Sequence, residues 1–226
     1  MHLKEAIDNL YGVFSFYIVE GKLRDRSCDC CIVRLDVKTL MSRPLNDLTE
    51  NDLGFYTRKA ITTLGSIQDY KHFLPRILEL VAFSSSFRDD FLTFEKLNYC
   101  NWQDWDDEEV ISVKSFFAAS LTNALNENLD TLPDFIALNL KYNDFETIKK
   151  ILLESDSIKL IRKIIDDVLG DYRHKMDDRL MELYSNKKML EKIEHSFFET
   201  QDKVDANNIS IAYSILEKYH GNSIIK

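Results

Sequence analysis

Apolar positions recur along most of this chain at spacings of three and four. Residues 157–169 show the pattern most plainly: Ile158, Ile161, Ile164, Ile165 and Val168 share one stripe, the signature of a helix with one buried face. The segment 105–126 repeats it with Val113, Phe116, Phe117, Leu121 and Leu125. The same reasoning predicts helices near 37–42 and 88–99, and then a run of shorter ones at 132–142, 145–154, 171–185, 187–200 and 206–219.

Local punctuation sets several boundaries. Thr49 reads as an N-cap, with Glu50 and Asp52 in the first turn, where acids suit the helix dipole. That helix is expected to run to Leu64 and stop at Gly65. Ser66 opens the next. Pro75 predicts a break, hence a short helix over 67–73 and a second to about 83 that buries Leu74, Ile77, Leu78 and Val81. Asp104 is expected to cap the helix from 105, and Gly170 to end the helix before it. Residues 3–18 read as a first helix, but the aromatic and β-branched residues of 13–19 also suit a strand.

These elements predict an all-α, multi-helix array. Its C-terminal half could stack in the manner of a short α-solenoid, although no sequence repeat supports that. The chain reads as one helical domain over 1–226, with candidate lobes at 1–100 and 101–226. Composition agrees: six Gly and three Pro in 226 residues are few for a fold rich in β-turns. The start, Met1 to Glu5, is polar, so no signal peptide is expected. The longest apolar run, Tyr11 to Val19, is shorter than the roughly 20 residues of a membrane span. A cytoplasmic protein is therefore expected, with no membrane association.

The formal net charge of −9 is concentrated in one place. Residues 101–135 hold one basic residue, Lys114, against eight acids, whereas the flanking stretches are each nearly balanced. A nucleic-acid binder needs a stripe of the opposite sign, so nucleic acid is not an expected partner. Trp102 and Trp105 sit beside the acids of this band: Asp104, Asp106, Asp107, Glu108 and Glu109. Indoles are frequent interface anchors, and an acidic rim steers a basic partner. The plainer reading makes the indoles core plugs and the acids a cap and first turn.

Cys28, Cys30 and Cys31 crowd into four positions, too close together for a secreted disulfide framework. Thiolates at such spacing could share a zinc ion, with His72 or Cys100 completing the set, or Cys28 and Cys31 could cycle between thiol and disulfide. Three thiols in a surface turn or a small apolar pocket are the structural alternative. Asp166-Asp167-Val168-Leu169-Gly170-Asp171 resembles an acidic magnesium motif but has no partner motif, and a solvated helix end explains it. His174 and Asp178, four apart, suit a surface ion pair better than an acid–base pair. The sequence carries no Gly-rich phosphate loop and no nucleophile elbow.

Four stretches then appear in order: Cys28-Asp29-Cys30-Cys31, Pro44 to Thr49, Lys59-Ala60-Ile61-Thr62-Thr63-Leu64-Gly65, and Asp69 through Leu80. Together they resemble a family of bacterial all-helical proteins with no assigned activity. Its members tend to show a C-x-x-C element, a PL-x-x-L turn, a KALTT-x-G stretch and HFLPRLLEL. Trp102 to Trp105 and the later LEKIEHSFFETQ stretch fit its looser second half. Asp29 departs from a usual proline, and Leu64 stands where many members have Trp. The resemblance implies a bacterial, intracellular, helical protein and no particular reaction.

Two functional readings follow. The first is a non-catalytic binding protein whose acidic band meets a basic protein, for example an immunity protein that blocks a basic toxin domain. The second is a thiol or metal protein centred on Cys28, Cys30 and Cys31, with His72 and Cys100 as completing residues and zinc as the cofactor.

Overall fold

The computed structural model describes residues 1–19, 23–33, 37–84, 91–127, 131–171 and 176–224, and of Arg24, Cys31, Phe91, Leu92 and residues 221–224 only the backbone. Within them the chain is all-α. Strand-like pairing is limited, among the described residues, to two isolated bridges, Ser27 with Leu64 and Ala60 with Leu64. No helix among them is long and apolar enough to cross a membrane.

The helices are α1 (Leu3–Val13), α2 (Asp29–Ile32), α3 (Val37–Ser42), α4 (Glu50–Lys59), α5 (Ile67–Phe83), α6 (Phe91–Tyr99), α7 (Asp107–Asn126), α8 (Leu132–Tyr142), α9 (Phe145–Glu154), α10 (Ile158–Leu169), α11 (Asp178–Tyr184), α12 (Lys187–Glu199) and α13 (Lys203–Ile224). Short 3₁₀ turns lie at Leu23–Arg26, Leu45–Asp47 and Trp102–Asp104. Two compact units divide the chain, Met1–Ser120 and Leu121–Lys226. The boundary falls inside α7, so the Trp102–Glu109 stretch belongs to the first unit.

In the first unit α5 packs on α1 and α4, and α4 also meets α3 and α6. Its core holds Leu10, Phe14, Tyr56, Phe73, Leu74, Leu78, Trp102, Phe116 and Phe117. Reciprocal capping boxes start α4 and α5. Thr49 Oγ1 accepts from the Asp52 amide at 3.4 Å while Asp52 accepts from the Thr49 amide at 2.8 Å. Ser66 and Asp69 repeat the arrangement at the head of α5, each pair satisfying amides that the helix start leaves open.

Three boundaries differ from expectation. α5 runs unbroken through Pro75. A mid-helix proline deletes one backbone bond and costs about 3 kcal/mol. Here Tyr70, Phe73 and Leu74 before it and Ile77, Leu78 and Val81 after it are all buried, and that packing holds the two halves in line. α4 stops at Lys59, short of Leu64. The β-branched Ile61, Thr62 and Thr63 that follow are poor helix formers, and the chain turns through positive φ at Ile61 (68°) and Gly65 (68°). α1 ends at Val13; residues 14–16 turn and 17–19 have no regular structure and join no strand.

In the second unit α13 packs against α10, α11 and α12, while α8 meets α9 and α10. The α10 stripe is shifted from its expected composition. Leu160, Ile161, Ile164 and Val168 are buried, whereas Ile158 is 54% exposed. Gly170 ends α10 with φ −70°, not in the left-handed form. Its glycine has another reason: a Cβ there would lie 2.5 Å from the Asp166 carbonyl oxygen. The helix expected over 171–185 is observed as α11, beginning at Asp178.

Candidate functional site

The cysteine segment is held on the turn between α4 and α5. Arg26 donates to Asp69 through both Nε (2.8 Å to Oδ2) and Nη2 (2.6 Å to Oδ1), a forked charge-assisted pair. Asp69 also accepts from the Ser66 amide and hydroxyl at 2.7 and 2.8 Å. Burial pushes this carboxyl up, but the Arg26 guanidinium and the Ser66 donors outweigh burial and hold it below the usual carboxylate range. Ser27 Oγ donates to the Leu23 carbonyl at 2.7 Å and accepts from the Gly65 amide at 3.1 Å. The Cys28 amide donates to Thr63 O at 2.9 Å. Gly65 is required here twice over, by its φ of +68° and because a Cβ would meet Leu23 at 3.0 Å and Asp69 at 3.1 Å.

On this platform the Cys28 and Cys30 sulfurs lie 3.1 Å apart. Cys28 is half-buried and Cys30 exposed. The other proposed ligands are occupied elsewhere. Cys100 is buried, and burial, partly offset by Lys71 and Lys96, pushes its thiol up to about 12. His72 is engaged through Nδ1 with the Tyr17 carbonyl at 2.8 Å. Among the described residues no three His, Cys, Asp or Glu side chains are grouped to hold a metal ion; the Cys31 side chain lies outside them.

The acidic band divides into an inside and an outside. Glu109 is 2% exposed and forms a buried ion pair with Lys71, Nζ to Oε2 at 2.6 Å. Tyr17 donates its hydroxyl to Glu109 Oε1 at 2.5 Å, Lys71 donates to the Tyr17 oxygen at 2.9 Å, and the Asp106 amide donates to Glu109 Oε2 at 3.3 Å. Lys71 Nζ also lies 4.3 Å from the centre of the Trp105 ring, a cation–π contact. Burial first, and then the Glu109 carboxylate, raises the Tyr17 phenol well above its ordinary pKa. Trp102 is 1% exposed. Two of the seven expected partner-binding residues, Trp102 and Glu109, are therefore interior groups: the indole fills the core, and the carboxylate neutralises a buried ammonium.

What remains outside is compact. Asp104, Asp106, Asp107 and Glu108 are exposed and Trp105 is half-buried. The Trp105 indole N–H donates to the Cys100 carbonyl at 3.1 Å, and its ring meets Phe14 edge-on at 6.0 Å. Asp104 lies in the preceding 3₁₀ turn, so the expected N-cap role does not fall to it. Sequence reasoning missed Phe16 and Ile18, which are 64% and 60% exposed on either side of Tyr17. Ile111, 61% exposed, follows Asp107 and Glu108 by four and three residues and so shares their helix face.

The second unit carries a shallow cleft of about 400 Å³ whose lining includes Ile158, Ile161, Ile165 and Ile209 together with Arg162, Asp166, Glu199 and Asp205. The acids expected to mimic a magnesium motif diverge. Asp166 borders this cleft, while Asp167 pairs with Lys163 and accepts from the Tyr184 hydroxyl at 3.0 Å. His174 of the His174–Asp178 pair lies outside the described residues. His195, which precedes Ser196 on α12, sits 3.1 Å from Glu199 as a surface pair. Comparison with protein-family models, with curated proteins and with solved structures finds no match to this chain.

Proposed function

We propose that this chain is a non-catalytic binding protein that receives a basic protein on the acidic face of its first unit, as an immunity or inhibitor protein receives a basic toxin domain. The observation that carries the reading is the grouping of exposed Asp104, Asp106, Asp107 and Glu108 around half-buried Trp105, with exposed Phe16, Ile18 and Ile111 on neighbouring positions. An acidic rim raises the rate of encounter with a basic partner. An indole fixed by its own N–H bond is pre-organised as an anchor, because little freedom is left to lose on binding.

The test begins with the tagged chain at native expression level, its bound proteins identified at low and at high salt, followed by rate measurements on the purified pair. Lys replacements at Asp106, Asp107 and Glu108 should slow association and flatten its salt dependence. Trp105→Ala should act mainly on dissociation. A dissociation constant indifferent to the charge reversals would refute the reading.

A further inference from the structure

We propose that Cys28 and Cys30 are a reversible thiol–disulfide pair that exchanges with a low-molecular-weight disulfide of the glutathione class. The pair is the unit because these are the two described cysteine sulfurs that converge. The two sulfurs already lie at 3.1 Å. Cys30 is exposed and Cys28 half-buried, so an incoming disulfide meets Cys30 first and Cys28 stands behind it. Cys100 belongs to the interior of the first unit, 4% exposed, and is out of reach of a solvent-borne oxidant.

The platform beneath the pair makes closure easy. Ser27 pairs with Leu64, the Cys28 amide is bonded to Thr63 O at 2.9 Å and the Cys28 carbonyl to the Ile32 amide at 3.0 Å. Arg26, two residues upstream, is forked onto buried Asp69. With the backbone on both sides of Cys28 fixed, little chain entropy remains to be lost when the sulfurs join. An intramolecular thiol held this close acts at a high effective concentration.

The exchange has two steps. Cys30, its thiol proton given to solvent, attacks one sulfur of the small disulfide R–S–S–R. The S–S bond of the oxidant breaks, RS⁻ leaves and takes up a proton, and Cys30 carries –S–R. Cys28, likewise deprotonated, then attacks Cys30 Sγ and expels the second RS⁻, which is protonated in turn. Two protein thiols are oxidised to one disulfide and one small disulfide is reduced to two small thiols. Excess small thiol reverses both steps.

The experiment uses the full chain, reduced, desalted and exposed to glutathione disulfide, then quenched in acid for intact mass and peptide mapping. The wild-type mass should fall by two hydrogens, the cross-link should map to Cys28–Cys30, and reduced glutathione in excess should restore the thiols. Cys28→Ser should retain one glutathione on Cys30, with an adduct at least about tenfold more abundant than in wild type, because the closing step is gone. Cys31→Ser and Cys100→Ser should behave as wild type. The proposal is overturned if the two-hydrogen loss is absent, if the cross-link contains Cys31 or Cys100, if Cys28→Ser gives no adduct, or if one zinc per chain shields the thiols. The wild-type mapping needs no variant, so a poorly folding serine variant leaves the test intact.

Discussion

Replacing Glu109 separates two accounts of the acidic band. If Glu109 were one more solvated acid, its loss would change stability by no more than about 0.5 kcal/mol, as for most surface positions. In the structure Glu109→Ala removes the 2.6 Å partner of Lys71, the acceptor of the Tyr17 hydroxyl and the acceptor of the Asp106 amide. Lys71, 7% exposed, would keep one phenol oxygen and two aromatic faces. Stranding one member of a buried ion pair costs about 3–5 kcal/mol. With an m-value of about 3 kcal/mol/M, that moves a urea midpoint down by more than about 1 M. Asp107→Ala and Glu108→Ala, two and one positions away, are the surface controls and should stay within about 0.5 kcal/mol of wild type. The double variant Lys71→Met, Glu109→Leu should lose less than either single change, since an apolar pair leaves no charge unpaired. A Glu109→Ala midpoint indistinguishable from the two controls would refute the buried-pair account.

Two further outcomes follow from other groups. Asp69 has a folded pKa below its ordinary value, so its contribution is complete above the unfolded carboxyl pKa of about 3.9 and is lost as pH falls through the lower folded value; unfolding free energy measured from pH 7 to pH 2 should fall less steeply for Asp69→Asn than for wild type, and parallel curves would reject the assignment. The Tyr56 hydroxyl is buried without a hydrogen-bond partner among the described residues, while its ring stacks edge-on against Phe73 at 4.7 Å. Tyr56→Phe keeps the ring and removes an unsatisfied polar atom, so its thermal midpoint should equal or exceed that of wild type, and a loss above about 1 kcal/mol would point instead to a structural water on the hydroxyl.

The helical fold was legible because amphipathic spacing and caps are local signals. Thr49 and Ser66 open helices as read, each by a side chain three residues from its partner. Pro75 misled because a proline's local cost says nothing of the six buried apolar residues around it that offset that cost. The buried pair was missed because its members are 38 residues apart, and a charge count treats every carboxylate in a run alike. A signal was nonetheless present. Glu109 is in phase with Val113, Phe116 and Phe117, and Lys71 with Leu74 and Leu78, at the three-, four-, seven- and eight-residue spacings of one helix face. A lone charge in phase with an apolar stripe on each of two helices marks a candidate buried pair. The approach of the Cys28 and Cys30 sulfurs was not legible either, since spacing alone does not fix where neighbouring thiols point.

The polar residues of α5 explain how a helical unit presents a fixed surface from segments that are not helical. Asp69 grips Arg26 ahead of the cysteines. Lys71 and His72 take the hydroxyl and the carbonyl of Tyr17, which orders the turn after α1. Arg76 donates to the Leu48 carbonyl at 2.7 Å, and Glu79 accepts from Tyr11 at 2.6 Å. Each contact ends on a loop, a turn or a helix end, where backbone bonding alone leaves the chain loose. Apolar burial at these points would be non-directional and would tolerate sliding; a forked guanidinium or a bonded carbonyl fixes register. The exposed acids beside Trp105 and the sulfurs of Cys28 and Cys30 thus both rest on polar side chains of one helix. Substitutions at Asp69 and at Lys71 should accordingly disturb different sites: the first should slow disulfide closure and leave partner association intact, and the second should do the reverse.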